Sequence, residues 1–245
     1  MILTVVDLGK TRYADAWELQ RRVNTARNSG LLGDILLLTE HHHVYTLGKG
    51  GDANHLLASD QELSSDGVDF FQIDRGGDIT YHGPGQIVGY PIIDLQPHGS
   101  DIHKYLRSIE ESIIRTLASY NVIGIREEGM TGVWVGGEKI AAIGVKVTRW
   151  ITMHGFAFNV ATDLSRFGRI IPCGIFHKGV TSLERLLGPG ITMGDVQKRL
   201  VENFSEVFGY AVHQRSFAEL ESLLTKIETA VADEIGKEEE WQKPL

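Results

Sequence analysis

The amino-acid sequence predicts an α+β domain, a sheet packed by helices, and three observations carry the prediction. Short apolar runs rich in β-branched residues and bounded by turn residues recur at 34–39, 68–73 and 87–95. Helix-length segments with apolar residues spaced three and four apart stand around them, the clearest over 101–120. No internal repeat and no Ser- or Pro-rich linker interrupts the chain, so one α+β domain with a helical tail is the economical arrangement.

Taken in order, 2–8 reads as a strand and 13–27 as an amphipathic helix with Trp17, Leu19, Val23 and Ala26 on its inner face; Gly30 and Gly33 end it. The buried strand 34–39 leads into His41, His42 and His43. Neighbours on an extended chain point to opposite faces, so at most His41 and His43 converge, and no carboxylate or Cys follows at ligand spacing. The three are read as loop residues, and no metal is expected. Residues 49–67 read as a surface excursion with a weak helical signal over 55–62. Helix 101–120 has Ser100 or Asp101 as its N-cap, and a strand follows over 122–127. Residues 131–147 form a hairpin, because Gly136 and Gly137 suit a two-residue turn with positive φ at both positions. That places Lys139 just past the turn, on a strand. A further strand at 152–160 carries His154 and Asn159, 163–167 reads as a short helix, and Cys173 falls between Pro172 and Gly174 at a constrained bend. Helix 192–208 opens on a Thr192/Asp195 pair resembling a capping box and stops at Gly209; an acidic amphipathic helix follows over 217–235, ending in a frayed 238–245. The domain boundary is drawn at 214: residues 1–214 as the main α+β domain, 215–245 as an acidic helical C-terminal extension.

A chain of 245 residues buries a full core, and its 42% hydrophobic and 23% charged content is that of a soluble globular protein. No run is long and apolar enough for a membrane span, and the first residues lack a secretory signal, so the cytoplasm is the expected compartment. The formal charge of −8 argues against nucleic-acid binding. Within it, 139–185 holds seven basic residues against two acidic ones, while 215–245 holds four against eight. The basic middle is either a receiving face for an acidic protein partner or an ordinary solvated surface. The single cysteine, Cys173, excludes an intrachain disulfide and is either a small buried hydrophobe or a nucleophile.

The organising stretch is 74–95. Six Gly or Pro residues precede Tyr90 there, interleaved with Arg75, Asp78, Thr80, Tyr81, His82 and Gln86, between two strand-like flanks. Glycine lets backbone approach a ligand closely, so the pattern reads as a pocket wall rather than a plain bend.

The run Arg75-Gly-Gly-Asp-Ile-Thr-Tyr-His-Gly-Pro-Gly-Gln86, followed by Tyr90-Pro-Ile-Ile-Asp-Leu95, resembles the signature of the lipoyl(octanoyl) transferases, members of the biotin and lipoate protein ligase superfamily. Further marks stand in the expected order: Gly132-Val-Trp134, Lys139-Ile-Ala-Ala-Ile-Gly144, His154-Gly-Phe-Ala-Phe-Asn159, Pro172-Cys-Gly174 and Val180-Thr-Ser-Leu183, together covering roughly 10–210. One departure is the absence of Pro near His42 and His43, which touches loop rigidity more than chemistry. The resemblance implies a mixed or antiparallel sheet flanked by helices and a catalytic dyad of Cys173, the acyl-thioester nucleophile, with Lys139. It implies transfer of an octanoyl group from octanoyl-acyl carrier protein to the lysine of lipoyl domains, those of 2-oxoacid dehydrogenase complexes and of the glycine cleavage H protein. No cofactor is expected. The acyl chain is expected to lie against Arg75, Gly76, Gly77, Asp78, Ile79, Thr80, Tyr81 and His82 on one side. Ala142, Ile143 and Gly144, with Gly155, Phe156 and Ala157, form the other, and His154 and Asn159 support them.

The chemistry is coherent. A thioester donor is already activated, so transfer to an amine needs no ATP, but it needs a nucleophile of matching leaving ability, and a thiolate is one. A free thiol has a pKa of about 8.5, and a neighbouring cation favours its anion. Lys139 is the expected cation and later the general base for the incoming amine; taken alone, it reads as a hairpin-end lysine in solvent. His82 and His154 compete for the base role, since Cys–His pairing is the commoner arrangement, but they are assigned instead to pocket walls and positioning. Backbone N–H groups of Gly76, Gly77 and Gly144 are candidate oxyanion donors. Three alternatives stay open: an ATP-dependent lipoate ligase, an amidotransferase between lipoyl domains, and a non-catalytic acyl-carrier-binding module.

Overall fold

The computed structural model describes residues 1–171 and 179–241, the side chains of 235–241 excepted. Cys173 therefore lies outside the described residues. The eleven described strands are β1 (Ile2–Thr11), β2 (Asp34–His41), β3 (Val44–Leu47), β4 (Asp69–Gln72), β5 (Ile79–His82), β6 (Gln86–Ile92), β7 (Ile125–Glu127), β8 (Met130–Val135), β9 (Glu138–Thr148), β10 (Ile151–Asn159) and β11 (Ala211–Gln214). The helices are α1 (Tyr13–Asn28), α2 (Asp60–Ser65), α3 (Ile102–Ala118), α4 (Leu183–Leu187), α5 (Met193–Phe208) and α6 (Phe217–Trp241).

Eight strands form one mixed sheet in the order β11-β1-β2-β6-β10-β9-β8-β7, and β4-β3-β5 form a second, smaller one. In the large sheet β1 runs parallel to β2 and β11, and the remaining pairings are antiparallel. Helices cover both faces. On one, α3 and α5 bury Ile109, Ile113, Leu117, Leu200 and Phe204 against Leu36, Leu38 and Phe158. On the other, α1 and α6 bury Ala16, Leu19, Val23, Leu220 and Leu224 against Leu37, Val88 and Ile92. Alternate residues of β2 feed opposite cores, which is why 34–39 reads as a continuous apolar run. None of the helices among the described residues is long and apolar enough to cross a membrane.

Local chemistry explains the element ends. Asp101 rather than Ser100 caps α3, accepting from the Lys104 N–H at 3.0 Å. Thr192 caps α5, and Gly209 ends it at φ 72°. Gly136 and Gly137 take φ of 58° and 84° between β8 and β9, the primed turn expected of them.

Three expectations change. His41 is not a loop residue: it ends β2, is fully buried, and meets the Tyr90 hydroxyl at 2.6 Å through Nε2. The excursion 49–67 does more than cover surface, because α2 sends Leu63 into a third core with Tyr45, Tyr81 and Ile170. The strand expected over 122–127 is reduced to β7, since Gly124 sits where a Cβ would stand 2.6 Å from Leu117 Cδ1. Within 215–245, α6 buries Leu220 and Leu224 fully against α1 and the sheet.

Candidate functional site

A cavity of about 610 Å³ lies between the loop 75–78 with β5 on one side and β9 and β10 on the other. All the residues expected on its walls line it except Tyr81. Successive strand residues face opposite ways, so Thr80 and His82 turn to the cavity while Tyr81 turns into the third core; its hydroxyl meets His43 Nδ1 at 2.6 Å. His154 and Asn159 line the cavity, as does Lys139. Tyr13, Gln86, Val88, Tyr90, Phe167 and Val180 line it as well without having been singled out as site residues. Gln86 belongs to the conspicuous 74–95 stretch; Tyr13 sits in the first turn of α1, and no local signal marks it.

Glycine makes the narrowness possible. A Cβ on Gly144 would stand 2.8 Å from Gly76 O and 3.0 Å from Arg75 Cδ, so the loop rests directly on β9. The Gly76 N–H donates to Val145 O at 2.9 Å, which removes it from the candidate oxyanion donors. Arg75 is buried and donates through Nη2 to Thr46 O at 2.7 Å and Thr46 Oγ1 at 2.9 Å. Asp78 is held by His55, with Nδ1 to Oδ2 at 2.6 Å.

A relay of side chains crosses the cavity wall. Gln86 Nε2 donates to Tyr81 O at 3.1 Å and to Asn159 Oδ1 at 2.9 Å, so its Oε1 accepts from His82 Nδ1–H at 2.9 Å. Asn159 Nδ2 then donates to Thr181 O at 3.0 Å. Thr181 N donates to Lys139 O at 3.0 Å, and Lys139 N to Gly179 O at 2.9 Å. The relay therefore ties His82 to the strand that carries Lys139. Burial holds His82 down at about 3, and His41, behind it, at about 4, so both are neutral near pH 7. Tyr13 stacks on the His82 ring at 5.9 Å.

Lys139 Nζ stands 4.8 Å from the Trp134 ring centroid, and Gly132 leaves room for its stem: a Cβ there would come within 3.5 Å of Lys139 Cε and 2.6 Å of Ala141 O. Gly132 N is in turn fixed at 3.0 Å by the fully buried Glu110 carboxylate, which Arg107 and Arg126 neutralise. His154 lies at the opposite end of the cavity. Its cross-strand partner is Val145, six residues along β9 from Lys139 and so about 20 Å away at strand rise. His154 is thus no base for chemistry at Lys139. Its Nε2 meets Asp74 Oδ1 at 2.7 Å, and the other Asp74 oxygen takes Lys146 Nζ at 2.5 Å. Partial burial pushes the Asp74 carboxyl up, but its hydrogen bonds to Lys146 and His154 outweigh that and hold it at about 2.

On either side of 172–178 the described chain is hydrogen-bonded to the fold. Ile171 N donates to His55 O at 2.8 Å, and Gly179 accepts from Lys139. The basic run is mostly paired within the fold: Lys146 with Asp74, Arg169 with Asp66, Arg166 with Asp66 and Asp163, Arg185 with Glu138.

Residues 12–205 match the family model described as the lipoyl protein ligase A/B catalytic domain. The chain is 55% identical over 203 residues to an octanoyltransferase of Rubrobacter xylanophilus, covering 82% of this chain and 91% of the relative. It is 47% identical over 223 residues to an octanoyltransferase of Flavobacterium psychrophilum, covering 84% and 96%. Among solved structures it is similar to lipoate-protein ligase A bound with ATP, with TM-score 0.75 and 16% identity over 93% of this chain and 94% of that one. The bipartite lipoate protein ligase of Thermoplasma acidophilum gives TM-score 0.72, 16% identity, 93% and 92%. At that identity the structural likeness speaks for the fold.

Proposed function

This chain belongs to the lipoyl protein ligase A/B catalytic-domain family and is an octanoyltransferase of protein lipoylation; from that premise we propose that it carries the octanoyl group as a thioester on Cys173, with Lys139 moving the protons. The donor is octanoyl-acyl carrier protein and the acceptor a lysine of a lipoyl domain. The reading is supported above all by Lys139. It lines the cavity, and its own backbone is bonded to Gly179 and Thr181, the former six residues beyond Cys173 in the sequence.

In the first half-reaction the Cys173 thiolate attacks the donor's carbonyl carbon, the bond to the donor sulfur breaks, and the departing thiolate takes a proton from the Lys139 ammonium. Lys139 is then neutral. In the second, the acceptor amine attacks the Cys173 thioester and passes its surplus proton to Lys139 as the C–S bond breaks. An amide forms and the Cys173 thiolate returns, so no nucleotide is consumed. The slot suits an alkyl chain. Ala142, Ile143, Gly155 and Ala157 offer small or apolar surface, and an eight-carbon chain, about 9 Å long from C–C bonds of roughly 1.5 Å, fits along β9 and β10 between Lys139 and His154.

The test is intact-mass analysis after incubation with octanoyl carrier protein, ATP absent. A covalent octanoyl adduct is expected that disappears in Cys173→Ala and leaves when an apo lipoyl domain is added. An enzyme that forms no adduct yet transfers octanoate only with ATP overturns the thiol route. Turnover faster with an octanoylated lipoyl domain than with octanoyl carrier protein overturns the donor assignment.

A further inference from the structure

We propose that Asp74 is a positioning residue that seals the slot against water, so that the acyl-enzyme goes to an amine instead of being hydrolysed. The inference rests on the Cys173 thioester reading above.

The seal is needed because of how the sheet ends. β8 pairs with β9 only over Glu138 to Ala141, and beyond Ala141 no strand among the described residues lies along that edge of β9. Ala142 to Val147 are accordingly all half-buried although β9 is an inner strand of the sheet. The slot wall on this flank is closed by the loop 75–78. That loop carries Gly76 and Gly77, the latter at φ 84°, so it has little stiffness of its own. Its far side is anchored by Arg75 to Thr46 and by Lys49 N to Arg75 O at 3.0 Å. Towards β9 and β10 it is tied by Gly76 N to Val145 O and by the two oxygens of Asp74. Asp74 thus spans both strands with one carboxylate, Oδ2 on Lys146 of β9 and Oδ1 on His154 of β10.

His154 is a second, independent sign that the position is built. It holds φ 59° within β10, a conformation costing a β-carbon residue roughly 1–2 kcal/mol, and is 1% exposed. Its N–H goes to Gln20 Oε1 at 3.0 Å and its Nε2 to Asp74, while Nδ1 is buried without a partner and the residue lines the cavity. The fold keeps a strained histidine there to give Asp74 something rigid to grip.

Water is the competitor the seal excludes. A water oxygen attacking the Cys173 thioester carbonyl breaks the same C–S bond as the amine does; octanoate leaves, the sulfur departs as thiolate, one of the water's protons passes to neutral Lys139 and the other to solvent, and the acyl group is lost. A loop that opens on β9 raises this rate without touching the nucleophile.

The experiment loads the full-length protein with a small octanoyl thioester, S-octanoyl-N-acetylcysteamine, in the absence of acceptor, and follows adduct decay by intact mass and octanoate release. In Asp74→Asn the adduct is expected to form but to hydrolyse about tenfold faster, the effect of lowering that barrier by about 1.4 kcal/mol. The ratio of lysine transfer to hydrolysis should fall accordingly, and Asp74→Glu should restore it in part. Lys146→Met removes one of the two grips from a side chain 36% exposed, so it carries the test should Asp74→Asn not fold. Equal decay in wild type and Lys146→Met, with adduct formed in both, overturns the seal. No adduct on wild type overturns the thioester reading instead, and the two failures are distinct.

Discussion

Lys139 and Cys173 are legible only through the long ordered resemblance; by local pattern the first is a hairpin-end lysine and the second a lone small residue. Glu110 is less legible still. Nothing in the sequence singles it out, yet it is fully buried, and Gly132 N, Arg107 and Arg126 reach it from 3 to 22 residues away in the sequence. Charge neutralised over such separations leaves no periodic trace. Gly132 itself permits a prediction. It holds φ 131°, and an added Cβ would stand 2.6 Å from a carbonyl oxygen and against the Lys139 stem. Gly132→Ala should therefore cost roughly 1–3 kcal/mol of stability and reduce transfer by displacing Lys139, read as a drop in kcat in assays of the still-folded variant. A wild-type kcat would show that Lys139 does not depend on this gap. The buried histidines permit another. In the unfolded chain a histidine titrates near 6.5, whereas burial keeps His41 at about 4 and His82 at about 3, so between those limits the unfolded state binds more protons. Their contribution is complete above about pH 6.5 and is lost as pH falls towards 4 and 3, on the order of 1 kcal/mol per unit for each. Thermal melts from pH 8 to 5 should show Tm falling below about 6.5, and a His82→Gln variant should fall less steeply; parallel curves would refute the assignment.

At the level of elements, whatever is encoded within some twenty residues is readable. The β8–β9 hairpin, α1, α3 and α5 follow from turn glycines and apolar spacing, and their observed ends fall within a few residues of expectation. The small sheet is not readable that way. β4 joins β3 in parallel and β5 joins it antiparallel, pairings across intervening chain that only the third core specifies. His41 is misread for a related reason, since three successive histidines look like a loop until Tyr90 is brought opposite the first. The β6–β10 pairing shows how register fixes the site. Gly89 lies opposite Phe156, and a Cβ on Gly89 would be 2.2 Å from Phe156 Cζ. A ring lying over a glycine across two strands is a packing unit that cannot take an extra carbon. Gly89→Ala should therefore destabilise by roughly 1–3 kcal/mol and shift octanoyl affinity, because Phe156 lines the cavity. Gly136→Ala, with nothing near its added carbon but φ 58°, should cost about 1–2 kcal/mol and leave affinity unchanged. Urea denaturation alongside donor KM for both variants separates the two effects, and equal KM shifts would remove the link between Gly89 and the slot.

The whole molecule is organised so that the cavity wall is braced from behind. The family match stops at 205, yet the chain goes on to add β11 to the edge of the large sheet and lay α6 over α1. Helix α1 supplies Tyr13 to the cavity and Gln20 to His154, so what covers α1 steadies the site at one remove. The sequence reads 217–235 as an acidic amphipathic helix, with four basic to eight acidic residues over 215–245. On the inner face of α6 Leu220 and Leu224 are fully buried, and Arg22 of α1 bonds both Glu221, at 2.8 Å, and Glu228, at 2.7 Å. These two kinds of contact differ in weight. Each buried leucine is worth about 1.5–3 kcal/mol, whereas half-exposed ion pairs contribute roughly 0–1 kcal/mol. Since a domain's whole margin is about 5–15 kcal/mol, losing both leucines removes a large part of it, and losing the ion pairs does not. A chain ended after Gln214 should accordingly melt well below the full-length protein, and Leu224→Ala should reproduce part of the drop, by about 2–5 kcal/mol. The Glu221→Gln/Glu228→Gln pair should melt close to wild type. If the chain ended at 214 kept its Tm and its activity, the brace would have no mechanical role and the core drawn around Leu220 and Leu224 would be dispensable.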